Sequence, residues 1–143
     1  MKLKKIHLYG SDIEDYEVLS ALIQDAAIPT SEMKFDKVEK QFFLVCSRFS
    51  WESRLQNKGN KRIVSGICFD NVIEVKKKNF PSFNSENILN FLTLKKERGF
   101  IELIFSNNIL IKLVGNNISF RIDDLNKEWP TIFSPNHKKL DDE

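Results

Sequence analysis

Residues 101–122 read IELIFSNNILIKLVGNNISFRI, and their alternation decides the fold class. Ile101, Leu103 and Phe105 alternate with Glu102; Ile109, Ile111 and Leu113 alternate with Lys112; Ile118, Phe120 and Ile122 alternate with Ser119 and Arg121. A period of two is the signature of strands with one face buried. Asn107-Asn108 and Gly115-Asn116-Asn117 divide the runs with residues that tolerate positive φ, as hairpin turns require. The stretch predicts a three-stranded meander.

The same period extends back through the chain. Met33–Lys37, Gln41–Trp51, Arg62–Phe69, Val72–Lys77 and Ile88–Leu94 read as further strands, and residues 3–9 as a short first one. In the 41–51 run, Phe42, Leu44 and Cys46 lie on one side and Phe43, Val45, Phe49 and Trp51 on the other. That pattern predicts a central strand covered on both faces. One segment differs in period: Ile13, Tyr16, Leu19, Leu22, Ile23 and Ala26 recur at helical spacing behind Ser11-Asp12-Ile13-Glu14, which has the form of a capping box. A helix over about 12–27, stopped by Pro29, follows. Asp123 or Asp124 is expected to cap a short C-terminal helical turn ending before Pro130. Helices are too few for parallel crossovers, each of which needs a dozen or more residues. The expected fold is α+β: a mainly antiparallel sandwich or partly open barrel of eight or nine short strands, with one amphipathic helix packed on it.

The chain has 143 residues, 41% of them apolar and 29% charged, which suits a single domain over 1–143 and excludes a disordered chain. No apolar run approaches 18 residues, so no membrane partner is expected. The start, Met1–His7, lacks the apolar core of a secretory signal. Two cysteines, Cys46 and Cys68, lie in apolar stretches, and a cytoplasmic protein with reduced thiols is the expectation. Net charge is +2, with the basic residues Arg54, Lys58, Lys61, Arg62, Lys76, Lys77 and Lys78 concentrated between 54 and 78, and acids gathered from Asp123 to Glu143.

Several segments in order resemble one family. They are Asp12–Tyr16 running into Ser20–Ala26, Arg48-Phe49-Ser50-Trp51-Glu52, Leu92-Thr93-Leu94 with Ile101–Phe105, and Asp124-Leu125 with Trp129-Pro130-Thr131 and Pro135-Asn136-His137. Together they are similar to an alphaproteobacterial family catalogued as domain of unknown function 2948. The chain departs from that pattern at Ser47, where Asn is expected, and at Gly66, where Ala is. The resemblance implies no substrate, cofactor or catalytic residue.

No catalytic set is recognisable. His7 and His137 stand at opposite ends, the cysteines are 22 residues apart, and zinc ligands usually come in close pairs, so no metal or cofactor is expected. There is no Gly-x-Ser-x-Gly elbow and no glycine-rich phosphate loop. Gln24-Asp25 places an acid at the unfavourable end of the helix dipole, which marks either a ligand contact or a local cap of the chain reversal. Arg48 with Trp51 and Glu52 is the most informative cluster. Arg and Trp are enriched in interface hot spots, and Arg48 can equally snorkel and pair with Glu52 or Asp25. Lys58, Lys61, Arg62, Lys76, Lys77 and Lys78 form a basic surface beside Phe80 and Phe83, but the aromatics do not alternate along strands, so nucleic acid is not the expected partner. The expected function is a non-enzymatic module that binds another protein, with Trp51, Phe80, Phe83 and Trp129 as candidate anchors. The alternative is a small anionic ligand held by Arg48, with Asp25 or Glu52 orienting it.

Overall fold

The helix begins one residue later than the Ser11–Glu14 spacing predicts. In the computed structural model, which describes residues 6–50, 62–81 and 87–125, α1 (Ile13–Leu22) is capped by Asp12, whose carboxylate accepts from Asp15 N–H at 2.8 Å. Asp15 reciprocates by accepting from Asp12 N–H (3.2 Å) and Ser11 N–H (2.9 Å). Two carboxylates make the box because they accept more strongly than a hydroxyl and also meet the positive end of the helix dipole. The Ser11 and then the Asp12 N–H hold the Asp15 carboxyl below its usual range.

The helix also ends early, at Leu22 rather than near residue 27. Asp25 takes φ 65° and its N–H donates to Phe91 O at 3.0 Å, which turns the backbone into the sheet. Ala27–Pro29 then forms a buried strand, β2, just where the helix was expected to stop. An apolar run of this length fits either element, and pairing with strands on both sides decides for β.

The other strands are β1 (His7–Gly10), β3 (Met33–Asp36), β4 (Gln41–Phe49), β5 (Arg62–Asp70), β6 (Glu74–Lys78), β7 (Ile88–Glu97), β8 (Phe100–Phe105), β9 (Leu110–Val114) and β10 (Ser119–Asp124). All pairings are antiparallel. The ten strands form one open sheet in the order β1-β10-β5-β4-β2-β7-β8-β9-β6, with β3 pairing β4 beside β2. Of the expected sandwich or partly open barrel, the pairing gives the mainly antiparallel sheet, continuous and not closed. β2 pairs both β4 (Ala27 opposite Ser47) and β7 (Ala27 opposite Asn90), so one sheet runs through both halves.

The meander is β7-β8-β9, and the third run of the decisive stretch leaves it. β10 instead lies between β1 and β5, with Ile122 opposite both Leu8 and Ile67. The 109–113 run finds its second neighbour in β6, where Val75 faces Leu113. Alternation specifies which face a residue takes, but not which strand lies beside it. Asp124 ends β10 and turns its carboxylate into the protein, onto the buried guanidinium of Arg48. The rest of the expected C-terminal turn, from residue 126, lies outside the described residues, as do residues 3–5 of the expected first strand.

One core results. Tyr16, Leu19 and Ile23 of α1 pack with Phe42 and Leu44 of β4, Phe69 of β5, Phe91 of β7, Phe105 of β8 and Phe120 of β10. Each such side chain contributes about 1.5–3 kcal/mol on full burial. Tyr16 packs against Phe120 at 4.8 Å between ring centroids, and its hydroxyl donates to Ile118 O at 2.7 Å. This anchors the helix to β10 as well as beside β7. On β4 the Phe42–Leu44–Cys46 side is buried, but Phe43 is 37% exposed, so the strand is not covered on both faces along its length. Turn asparagines behave as read: Asn107, Asn108 and Asn117 take φ of 65°, 61° and 57°. Gly115 is needed for space, since a Cβ there would run into the carbonyl oxygen of Asn71. Among the described residues no helix is long and apolar enough to cross a membrane.

Candidate functional site

Arg48 is the natural starting point, because an exposed guanidinium there would hold an anion. It is instead 0% exposed. β4 points it to the interior side, across from β5 and the end of β10, where the Asp124 side chain is 2% exposed. Arg48 Nη2 donates to Asp124 Oδ2 at 2.9 Å and Nε to Oδ1 at 3.2 Å, a bidentate pair. Nε also reaches Ser65 Oγ (3.1 Å), and Nη1 donates to Phe49 O (3.1 Å). The carboxylate is satisfied in turn by Ser65 Oγ–H at 2.6 Å and Ile6 N–H at 2.8 Å. The partner of Arg48 is thus Asp124, 76 residues away, and not Asp25, while Glu52 lies outside the described residues. A planar fork saturated by a buried carboxylate fixes the chain in place and is poorly suited to an incoming anion.

The neighbouring groups are also engaged internally. Arg62 stacks over Phe49 at 4.3 Å and donates to Ser47 O at 2.7 Å. Burial pushes the Cys46 thiol up to about 12 against the opposing pull of Arg48, which makes it inert as a nucleophile. Burial, then the charge of Asp70, also raises Cys68, although Arg121 Nη2 lies 3.2 Å from its sulfur. Trp51, Glu52, Lys58, Lys61, Phe83 and Trp129 lie outside the described residues.

Lys76, Lys77 and Lys78 occupy β6 at the end of the sheet. Lys76 lies opposite Lys112, and the Lys77 ammonium sits 4.6 Å over the Phe80 ring. Lysines on a terminal strand discourage a further strand from pairing there, which accounts for their placement. Asp25 is spent on the chain reversal, its backbone bonded to Phe91.

Gln24 belongs to a different feature. A cavity of about 560 Å³ runs between α1 and β7, bordered on the helix by Ile13, Glu17, Ala21 and Gln24 and on the strand by every residue from Leu92 to Glu97. It falls in the size range of ligand clefts. Tyr16 and Ser20 border it from the core side of the helix. Ile13 is 58% exposed and Leu92 45%. The groove is pinched where Ser20 Oγ and Thr93 Oγ1 approach to 3.4 Å. Beyond Lys96 it continues into a second cavity of about 400 Å³ against the β7–β8 turn, shared through Ile13, Lys96 and Glu97.

Of the described candidate binding residues Gln24, Asp25 and Arg48, only Gln24 lies here. Ile13 was counted with the buried face, although Tyr16, Leu19 and Ile23 form that face alone. The available signal was the second stripe, Ile13, Glu17, Ala21 and Gln24, spaced at four, four and three on the outer side of the helix. Leu92 is the extra residue of a bulge, since the register shifts between Phe91 and Thr93, and that irregularity turns it outward.

No curated protein and no solved structure matches the chain. The model of one family, described as Protein of unknown function (DUF2948), matches residues 6–137, from the start of β1 past the end of β10, and the chain belongs to that family.

Proposed function

We propose that the domain is a non-catalytic, cytoplasmic protein-binding module and that the α1–β7 groove is its docking site. The observation that carries this reading is the groove itself. Exposed Ile13, Ala21 and Leu92 offer apolar surface inside a rim of Glu17, Lys95, Lys96 and Glu97, the apolar centre and charged border usual for a recognition site. The competing anion reading loses its anchor to the Arg48–Asp124 pair. The reduced thiols Cys46 and Cys68 are in keeping with the cytoplasm.

The test is selection of peptides from a random displayed library on the full chain, followed by binding to Ala21→Arg and Leu92→Asp. Both sites are exposed, so thermal unfolding should stay near that of the parent. Selected peptides should lose about tenfold or more in affinity on either change, the scale of about 1.4 kcal/mol. Peptides indifferent to both changes, or no selection at all, would overturn the reading.

A further inference from the structure

The strand wall of the groove is a sheet edge. β7 pairs β2 only through Ile88–Asn90, with Phe91 N–H donating to Ala26 O, and the helix then takes the place where β2 would continue. From Leu92 to Glu97 no strand of the described residues pairs β7 on this side, while β8 pairs it on the other. Consecutive residues of both parities border the cavity, as a backbone edge does and a sheet face does not.

The register identifies the groups on offer. Phe105 N–H donates to Ile109 O, towards β9. Alternation then turns Ile104, Glu102 and Phe100 towards β7, where they face Thr93, Lys95 and Glu97. The N–H and C=O of Leu94 and Lys96 are left pointing into the groove. A row of backbone donors and acceptors beside an apolar helix wall is the arrangement that receives an extended peptide as an added strand.

Charge helps to select the occupant. The Lys96 ammonium lies 5.6 Å over the Tyr16 ring and has no carboxylate partner among the described residues. Lys95, Lys96 and Arg98 border the two cavities against Glu17 and Glu97, a small cationic excess. With Lys96 lacking such a partner, that excess disfavours the lysine-rich β6 edge of a second copy and favours an acidic residue on the incoming strand. Building on the binding-module reading, we propose that an extended segment of a partner protein adds to β7 at Leu94–Lys96. It covers Ile13 and Ala21 with apolar side chains and places an acidic one beside Lys96.

Amide hydrogen exchange on the full chain, free and with a library-selected peptide, tests this, together with N-methylation of that peptide one residue at a time. In the free chain the Leu94 and Lys96 amides should exchange faster than those of Thr93, Lys95 and Glu97. On binding they should slow by about tenfold or more. N-methylation should abolish binding at alternate positions only, and Lys96→Glu should weaken an acidic peptide. A groove-dependent peptide that tolerates N-methylation everywhere, or leaves those amides unchanged, overturns strand addition and leaves the binding-module reading standing. Failure to select any groove-dependent peptide overturns both. Slow exchange of Leu94 and Lys96 in the free chain that deepens with protein concentration assigns the edge to a second copy and overturns the partner segment.

Discussion

Replacing Asp124 by alanine removes one carboxylate and strands four groups. Arg48 Nε and Nη2, Ser65 Oγ–H and Ile6 N–H all converge on it within 3.2 Å. The largest consequence is electrostatic. Arg48 is wholly buried, so the variant must hold an uncompensated cation in the interior or deform to hydrate it. Breaking such a pair from one side costs about 3–5 kcal/mol. With a urea m-value of about 2 kcal/mol/M, the midpoint of unfolding should fall by about 2 M. The double variant Arg48→Met, Asp124→Leu separates charge from packing. It removes both ions together and should recover most of the loss, because apolar replacement of a buried pair is often neutral or stabilising. The measurement is equilibrium urea unfolding followed by tryptophan fluorescence and circular dichroism. A midpoint shift below about 0.5 M for Asp124→Ala would refute the reasoning. So would a double variant no more stable than the single one, since the cost would then come from lost packing or hydrogen bonds rather than from an orphaned charge.

Three further expectations rest on independent features. Gly115→Ala forces a methyl group onto the Asn71 carbonyl, and overpacking of this kind should cost about 1–3 kcal/mol, read as a lower urea midpoint. Asp12→Ala removes the N-cap and should lower stability by about 1 kcal/mol, or the melting temperature by about 3 °C, in a thermal scan. Cys46 should resist alkylation in the native protein at pH 8 and react only on unfolding. Its folded-state pKa of about 12 lies above the ordinary 9.0, so its contribution to stability is complete below pH 9 and declines as pH rises from 9 to 12. Rapid native labelling at Cys46, or an unfolding midpoint that does not fall over that alkaline range, would contradict this burial.

Strand positions were largely legible because the runs at 101–105 and 110–114 alternate between buried and less buried side chains, and those at 41–49 and 62–70 are apolar enough to be strands packed within the sheet. Partner choice was not legible. Ile109–Leu113 and Ile118–Ile122 follow each other closely, yet β10 crosses to β1 and β5 because the chain reverses around Asn71 and Gly115 rather than in a simple hairpin. Asn71 Nδ2 donates to Asn117 O at 2.9 Å, joining two loops 46 residues apart. The helix limits depended on competition that no local pattern contains: Asp25 gives up the helical ladder for a bond to Phe91. Arg48 stood out correctly as the unusual residue in an apolar strand, but its significance depended on the distant Asp124, which local spacing assigned to a cap. The groove was least legible of all. It arises where β2 is too short to accompany β7, and the length of a three-residue strand is set by its neighbours.

The pairing of β1 with β10 has a consequence for how the protein is made. Among the described residues β1 has β10 as its one sheet partner, and Ile6 meets Asp124 across a separation of 118 residues. During synthesis β1 therefore waits, with its backbone unpaired, until the other described strands have left the ribosome. Closure of so large a loop adds an entropic barrier, and folds dominated by distant pairings acquire their structure in milliseconds to seconds rather than microseconds. A nascent chain arrested before Asp124 would lack the counter-charge for Arg48 as well as the seam for β1. The Arg48–Asp124 pair therefore forms only after β10 has been synthesised, because the cation lies in β4 and its counter-charge at the end of β10.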